Sequence, residues 1–369
     1  MARCGLGKSW HCLFANDFDH KKAESYSRNW GDDALTVSDV RDITVSDLPD
    51  VADLAWASFP CQDLSLAGNG AGLKGERSGT FWPFWKLIGN LSSEGRAPRT
   101  IVLENVVGTL TSHNGKDFQS ICSAISSLGY NFGALVIDAA RFVPQSRPRL
   151  FIIATRSDVP VTDGMRCDLH ECEWTSPSLI RAFRNLSQDE QGKWIWWKLP
   201  TPSNRNSSLT DLIEAVPVSV DWHTSEETHR LLLMMNEKNL AKVEAAKHQR
   251  RRVVGTIYKR TRKDEQGRKV QRAEIRFDEL AGCLRTPAGG SSRQLIMMVD
   301  GDIVRSRLIS SRETARLMGL PDEYVLPDKY YDAYHLTGDG VVVPVVRHLA
   351  QCIVEPILTQ KQISDQRAA

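Results

Sequence analysis

No apolar run in this chain approaches the roughly 20 residues that a membrane-crossing helix needs. The longest, such as Val341-Val-Val-Pro-Val-Val346, falls far short. The first residues carry no signal-peptide pattern, so no membrane association is expected and the cytoplasm is the expected compartment. The eight cysteines, at 4, 12, 61, 122, 167, 172, 283 and 352, have no repeating spacing. In a chain of 369 residues they are expected as reduced thiols and not as a disulfide scaffold. Metal-ligand spacing is also scarce. Only Cys167-Asp-Leu-His170-Glu-Cys172 gathers candidate ligands, irregularly and without a nearby fourth, so no metal is expected. Phosphate-binding fingerprints are missing too. Gly7-Lys-Ser9 has alanine where a P-loop has its first glycine and no preceding strand, and no dinucleotide motif supports a nicotinamide-dependent oxidoreductase.

Net charge is nearly absent as well, at +2, but its distribution is uneven. From Arg250-Arg-Arg252 through Lys259, Arg260, Arg262, Lys263, Arg268, Lys269, Arg272 and Arg276, cations face only Asp264, Glu265 and Glu274. A basic segment inside a neutral chain suits phosphate neutralisation, with a solvated charged face as the alternative.

With 41% hydrophobic and 25% charged residues, the chain can bury one large core and a smaller one. Up to about residue 155, short apolar runs alternate with helical stretches, the pattern of an α/β domain with a mainly parallel sheet. The expected strands are Cys12–Ala15, Asp53–Ala57, Thr100–Leu103, Gly133–Ile137 and Leu150–Ala154. Phe118, Ile121, Cys122, Ile125 and Leu128 predict a helix stopped by Gly129. Loops rich in Trp, Ser, Asn and Pro follow, then a helical stretch near 225–247. The Trp194-Ile-Trp-Trp197 cluster reads as the core of a smaller domain in preference to a base-stacking platform. Val341, Val345, Leu349, Ile353 and Ile357 then fall about four apart, as on one helix face able to pack back on the first domain.

In open α/β sheets, ligands sit beyond the carboxyl ends of strands, which singles out Asp17, Pro60-Cys61-Gln62 and Glu104-Asn105. Cys61, between a strand and a loop containing Gly68, Gly70, Gly72, Gly75 and Gly79, is placed to react, with a buried structural thiol as the alternative. Further blocks follow in order: Glu104-Asn-Val106, Gln145-Ser-Arg-Pro-Arg149, Arg312-Glu-Thr-Ala-Arg-Leu-Met-Gly-Leu-Pro-Asp322 and Gly338-Asp-Gly-Val-Val-Val-Pro344. Together with Pro60-Cys-Gln62, this ordered set resembles the cytosine-5 DNA methyltransferase family over nearly the whole chain.

The resemblance implies a doubly wound, mainly parallel sheet of the S-adenosylmethionine methyltransferase type with a smaller target-recognition domain. It implies a catalytic domain at 1–155 plus 330–369, and target recognition with a hinge at 156–329. The implied activity is methyl transfer from S-adenosylmethionine to carbon 5 of a flipped cytosine in a specific duplex sequence. Cys61 would attack carbon 6 as a thiolate. Glu104 would contact N3 and the exocyclic amine, through a carboxyl whose pKa is raised by enclosure. Arg147 would hold the pyrimidine O2, and Arg149 would organise the same loop. A strand-end salt bridge for Glu104 and surface positions for both arginines are the alternatives.

For the methyl donor, the resemblance implies Asp17 at the ribose, Asp42 with Ile43 at the adenine, Pro60, and Asp339, Gly340 and Val341. The family usually has asparagine at the position of Asp339. For DNA, the implied contacts are Gln62, Ser65, Arg77, Arg251, Lys259, Arg260 and Arg293. Double-stranded DNA is the implied partner of a monomer associated with the nucleoid, alongside a cognate restriction endonuclease. A tRNA cytosine-5 methyltransferase and a catalytically silent DNA-binding relative are the competing readings. Relatives begin with a strand and a Phe-x-Gly-x-Gly turn that this sequence does not contain, so that strand is expected upstream of Met1.

Overall fold

The computed structural model describes residues 1–59, 80–168, 172–205, 207–249, 251–286 and 293–359. Backbone contacts divide the chain into two compact units. The first comprises Ala2–Asp138, Pro148–Pro202 and Val345–Ala369. The second comprises Met1, Ala139–Arg147 and Ser203–Pro344.

The first unit holds strands β1 (Ala15–Asp17), β2 (Leu35–Val37), β3 (Leu54–Ser58), β4 (Thr100–Val106), β5 (Tyr130–Asp138) and β6 (Pro148–Arg156). β4 explains the arrangement best. Its run Ile101-Val102-Leu103 is buried on both faces, as a central strand covered by helices requires. β3 pairs with it in parallel, while β6 runs antiparallel to both β4 and β5, giving the order β3-β4-β6-β5. β1 and β2 form a separate parallel pair, and among the described residues no strand joins β1 to β3. The helix Lys116–Ser127 buries Phe118, Ile121, Cys122 and Ile125 against the sheet. It stops where expected, because Gly129 takes φ +77°, a conformation that a Cβ would strain.

β5 lies at a sheet edge, and its open backbone groups are covered. Phe132 N donates to Lys193 O at 3.0 Å, and Ile195 N donates to Phe132 O at 2.7 Å. Gly133 permits this approach, since a Cβ there would stand 1.8 Å from Ile195 O. Trp194 therefore belongs to the first unit's core, packed on Phe118, Phe132 and Phe183, and not to a smaller domain's own core. The tail behaves as its spacing predicts, with Val345, Leu349, Ile353 and Ile357 buried. The helical run Tyr330–Thr359 has the length and composition to cross a membrane, a property that counting uninterrupted apolar residues does not reveal. Its buried Val345, Val346, Leu349, Ile353 and Ile357 mark the core helix of a globular unit.

The structure differs from expectation in the bounds of one strand, in one additional strand and in the redox state of one cysteine pair. The first strand begins at Ala15, so Asp17 is its last residue and does not follow it, and the short β2 had no apolar run to reveal it. Cys167 and Cys172 are joined as a disulfide with Cα atoms 6.0 Å apart. The segments flanking that loop are pinned by Cys167 N to Trp196 O at 2.9 Å and Trp174 Nε1 to Leu199 O at 2.8 Å, which brings the sulfurs together. Cys4, Cys12, Cys122, Cys283 and Cys352 are thiols outside any disulfide.

The second unit contains an antiparallel sheet of β7 (Val253–Lys263), β8 (Lys269–Arg276), β9 (Leu295–Asp300) and β10 (Ile303–Leu308) in the order β10-β9-β7-β8. Helical spacing near 225–247 resolves into two helices, Ser225–Leu233 and Glu237–Lys247. Asn236 separates them by accepting the Asn239 amide as an N-cap. Their apolar faces, through Leu231, Met235, Val243 and Ala246, close over Val253, Ile257, Ala273, Ile275 and Met297.

Candidate active site

The chemistry-bearing blocks of the first unit meet at the carboxyl ends of β3 and β4. Ser58, the last residue of β3, stands in register with Glu104 of β4. On the other side Glu104 opposes Phe151 and Val106 opposes Arg149. Residues two apart on a strand share a face, so Arg149 lies diagonally across from Glu104. The side chains meet, with Arg149 Nε 3.2 Å from Glu104 Oε1, and both are largely enclosed, with side-chain exposures of 16% and 8%. Arg149 also donates from Nη1 to Pro148 O at 2.9 Å.

Asn105 points to the neighbouring strand and donates from Nδ2 to Phe59 O at 3.5 Å, while its Oδ1 accepts from Val106 N at 2.8 Å. This amide ties the end of β4 to the residue that follows β3. Cys61 comes two residues later in sequence. Pro60, Cys61, Gln62, Ser65 and Arg77 lie outside the described residues.

Arg147 has a different environment. It is 2% exposed and lies in the second unit. Its Nη1 donates to Leu284 O at 2.8 Å and to Cys283 Sγ at 3.4 Å. Its Nη2 donates to Gly338 O and Gly340 O, each at 2.8 Å. Gln145 grips the same region, accepting from Leu284 N at 3.1 Å and donating to Leu317 O at 2.8 Å. The expectation had Arg147 beside the pyrimidine and Arg149 organising a loop. In the structure Arg149 is the arginine in contact with Glu104, and Arg147 gathers three carbonyls and a thiol.

The residues expected at the methyl donor fall into two groups. In the first unit, Asp17 ends β1 with Oδ1 accepting from Asp19 N at 2.9 Å. Asp42 is exposed and Ile43 beside it is buried. The turn that carries them is closed by Asp42 N to Asp39 O at 2.9 Å. Arg41 hydrogen bonds hold the Asp39 carboxyl below the usual range. In the second unit, Asp339 is exposed and accepts a hydrogen bond from Thr286 Oγ1, Gly340 presents its carbonyl to Arg147, and Val341 is buried.

Of the expected DNA contacts, Arg251 is exposed beside β7, and Lys259 and Arg260 lie on that strand. Arg293 is half-buried with its guanidinium 6.0 Å from the centre of the Tyr330 ring. The bond from Asn105 to Phe59 had no signal in the sequence beyond the place of Asn105 in the Glu-Asn-Val block. Glu313 of the Arg-Glu-Thr-Ala-Arg block likewise had no assigned role, and it is fully buried in an ion pair with Arg307.

Comparison with known proteins agrees over most of the chain. The family model for C-5 cytosine-specific DNA methylases matches residues 2–355. The chain is 24% identical over 354 residues to the type II methyltransferase M.HhaI of Haemophilus parahaemolyticus, covering 95% of this chain and 88% of that protein. It is 25% identical over 348 residues to M.BsuFI of Bacillus subtilis, covering 94% and 68%. Among solved structures, the fold resembles the Dnmt2 methyltransferase of S. pombe, with a TM-score of 0.56 at 17% identity over 94% of this chain and 91% of that one. It also resembles a DNA modification methyltransferase encoded within an E. coli prophage, with a TM-score of 0.56 at 14% identity over 97% and 95%. The ordered blocks, the strand-end meeting of Glu104 and Arg149, and a family match from residue 2 to residue 355 lead to one conclusion: this enzyme belongs to the C-5 cytosine-specific DNA methylase family.

Proposed function

We propose that the enzyme methylates carbon 5 of cytosine in duplex DNA through a covalent bond between Cys61 and carbon 6. The observation that carries this reading is the enclosed contact between Glu104 and Arg149 at 3.2 Å, at the strand ends that lead to Cys61. Carbon 5 of cytosine is a poor nucleophile until electrons are pushed into the ring. Addition of the Cys61 thiolate to carbon 6 does this, and the pair of electrons shifts toward carbon 5. Glu104 meets N3 and the exocyclic amine, and Arg149, fixed against Glu104, supplies a cation to the same edge of the ring. The target carbon lies within the base stack, so the nucleotide is rotated out to reach these groups. After methylation, loss of the carbon 5 proton to a base expels the Cys61 thiolate and restores aromaticity.

S-adenosylmethionine, when bound, supplies an electrophilic methyl group. The donor set in the first unit suits it: a carboxylate at the end of β1 for ribose hydroxyls, and Asp42 beside the buried Ile43 for an adenine amine and ring. Arg147 acts as a positioning residue that holds the Gly338 and Gly340 carbonyls.

Covalent trapping tests the proposal. Incubation with S-adenosylmethionine and duplexes carrying 5-fluorocytosine, from a library of candidate sites, is expected to yield a denaturation-resistant adduct. Cys61→Ser is expected to abolish it, and Glu104→Gln to slow it by about a hundredfold or more. Adducts formed with tRNA and not with DNA, or an adduct retained by Cys61→Ser, would defeat the reading.

A further inference from the structure

A strap covers the open edge of β5, and two cysteines close it. Besides the bonds of Lys193 and Ile195 to Phe132, Val136 N donates to Trp174 O at 2.9 Å, so the strap holds the strand at two places. Cys172 stands two residues before Trp174. Cys167 is pinned to the stretch that follows Ile195, where its amide donates to Trp196 O at 2.9 Å, Lys198 N donates to Met165 O at 2.8 Å, and Arg166 and Trp197 form an antiparallel bridge. The bond between the sulfurs therefore joins the two stretches that hold β5.

Several features mark this bond as reversible and not as a fixed staple. The strap is fastened by main-chain hydrogen bonds and by Trp174 Nε1 to Leu199 O, none of which involves a sulfur. The two cysteines also differ in access, since Cys167 is half-buried and Cys172 is only 9% exposed, so a thiol or disulfide from solution meets Cys167 first. The reduced state has a place for its proton. Cys167 Sγ lies 3.4 Å from Trp197 O, within reach of an S–H donor. The five other described cysteines form no disulfide, so this pair is oxidised selectively and the chain is not built as a disulfide scaffold.

We propose that Cys167 and Cys172 are a thiol–disulfide couple that exchanges with small disulfides of the glutathione class and sets how firmly the strap covers β5. In oxidation the Cys167 thiolate attacks one sulfur of oxidised glutathione and expels a glutathione thiolate. The Cys172 thiolate then displaces the second glutathione from Cys167. One disulfide is reduced to two thiols, the two protein thiols become one disulfide, and their two protons pass to the departing glutathiones. Reduction runs the same steps backward, beginning with glutathione thiolate at Cys167. Without the bond the detached strap gains conformational freedom, so it leaves β5 more often and bares a strand edge able to pair with another chain.

The test equilibrates the full-length protein in buffers running from reduced to oxidised glutathione. Acid quenching, alkylation of thiols and peptide mass mapping read the state of the pair, and hydrogen exchange reads the strap. A reversible passage between dithiol and internal disulfide is expected within the series. The amides of Val136 and Cys167 are expected to exchange about 30-fold faster in the reduced form, the loop-closure entropy of cysteines only 5 residues apart. Ile121, in the helix Lys116–Ser127, is expected to exchange alike in both forms. Cys167→Ala and Cys172→Ala, made separately so that failure of one to fold leaves the other, are each expected to show the fast exchange in every buffer. A bond that survives excess reduced glutathione is a fixed staple and overturns the proposal. So does a pair that stays reduced, or carries only bound glutathione, in excess oxidised glutathione. Equal exchange in the two forms, or global unfolding on reduction, overturns it as well.

Discussion

Single residues here act through the neighbour they are given, and sequence spacing does not announce that neighbour. Arg147 and Arg149 stand two apart in the segment Gln145-Ser-Arg-Pro-Arg149, yet one grips the Gly338 and Gly340 carbonyls and the other contacts Glu104. His223 gives a test of local environment. Burial lowers its pKa from the ordinary 6.5, opposed by the charge of Glu227 and aided by that of Lys259, and its Nδ1 is 2.9 Å from Ser306 Oγ. The unfolded chain thus takes up this proton before the folded chain does as pH falls. The contribution of His223 is complete above 6.5, declines below it, and levels off once the folded imidazole also protonates. Urea midpoints measured across that window are expected to fall less steeply in His223→Gln than in the wild type. Parallel curves would show that His223 has no part in the acid response.

At the scale of elements, two backbone arrangements set the stability of their units. The edge of β5 is capped by Lys193–Ile195 because Gly133 has no Cβ. Gly133→Ala forces that segment away and is expected to destabilise the protein by about 1–3 kcal/mol, read from the denaturant midpoint. In the second unit, the helix Ser311–Leu317 starts with a capping box in which Ser310 and Glu313 exchange hydrogen bonds. Glu313 also binds Arg307 in a pair with no solvent exposure on either side, at 2.6 Å. Glu313→Ala strands the guanidinium in the interior and is expected to destabilise by about 3–5 kcal/mol in equilibrium unfolding. A loss below about 1 kcal/mol would mean that water reaches Arg307 and that the pair is dispensable. The Arg-Glu-Thr-Ala-Arg block thus has a scaffold role through Glu313.

At the scale of the whole molecule, the chain passes between its two units more than once. Ala139–Arg147 leaves the first unit for the second, and the chain returns at Pro148 and again at Val345. Four of the five expected strands, β3 to β6, were legible at their apolar centres, and β4 to β6 run two or three residues further, because polar residues such as Glu104, Asn105, Asn131 and Arg149 belong to the strands themselves. β7 and β8 were not, since their exposed halves alternate Lys and Arg in a pattern that reads as a solvated loop until pairing is known. The sequence by itself determined the family, through the order of its blocks, and the apolar centres of β3 to β6, the helix Lys116–Ser127 and the buried face of the tail, through apolar spacing that acts over a few residues, whereas the buried helix Phe81–Ser93 and β9 were not legible in it. Only the tertiary structure decided that Arg149 faces Glu104, that Arg147 serves the Gly338–Gly340 turn, that Cys167 meets Cys172, and that the basic segment stands out as a ribbon. Each of these depends on strand register or on contacts between segments distant in the chain, and such contacts are fixed by the packing of the whole and not by any local run of residues.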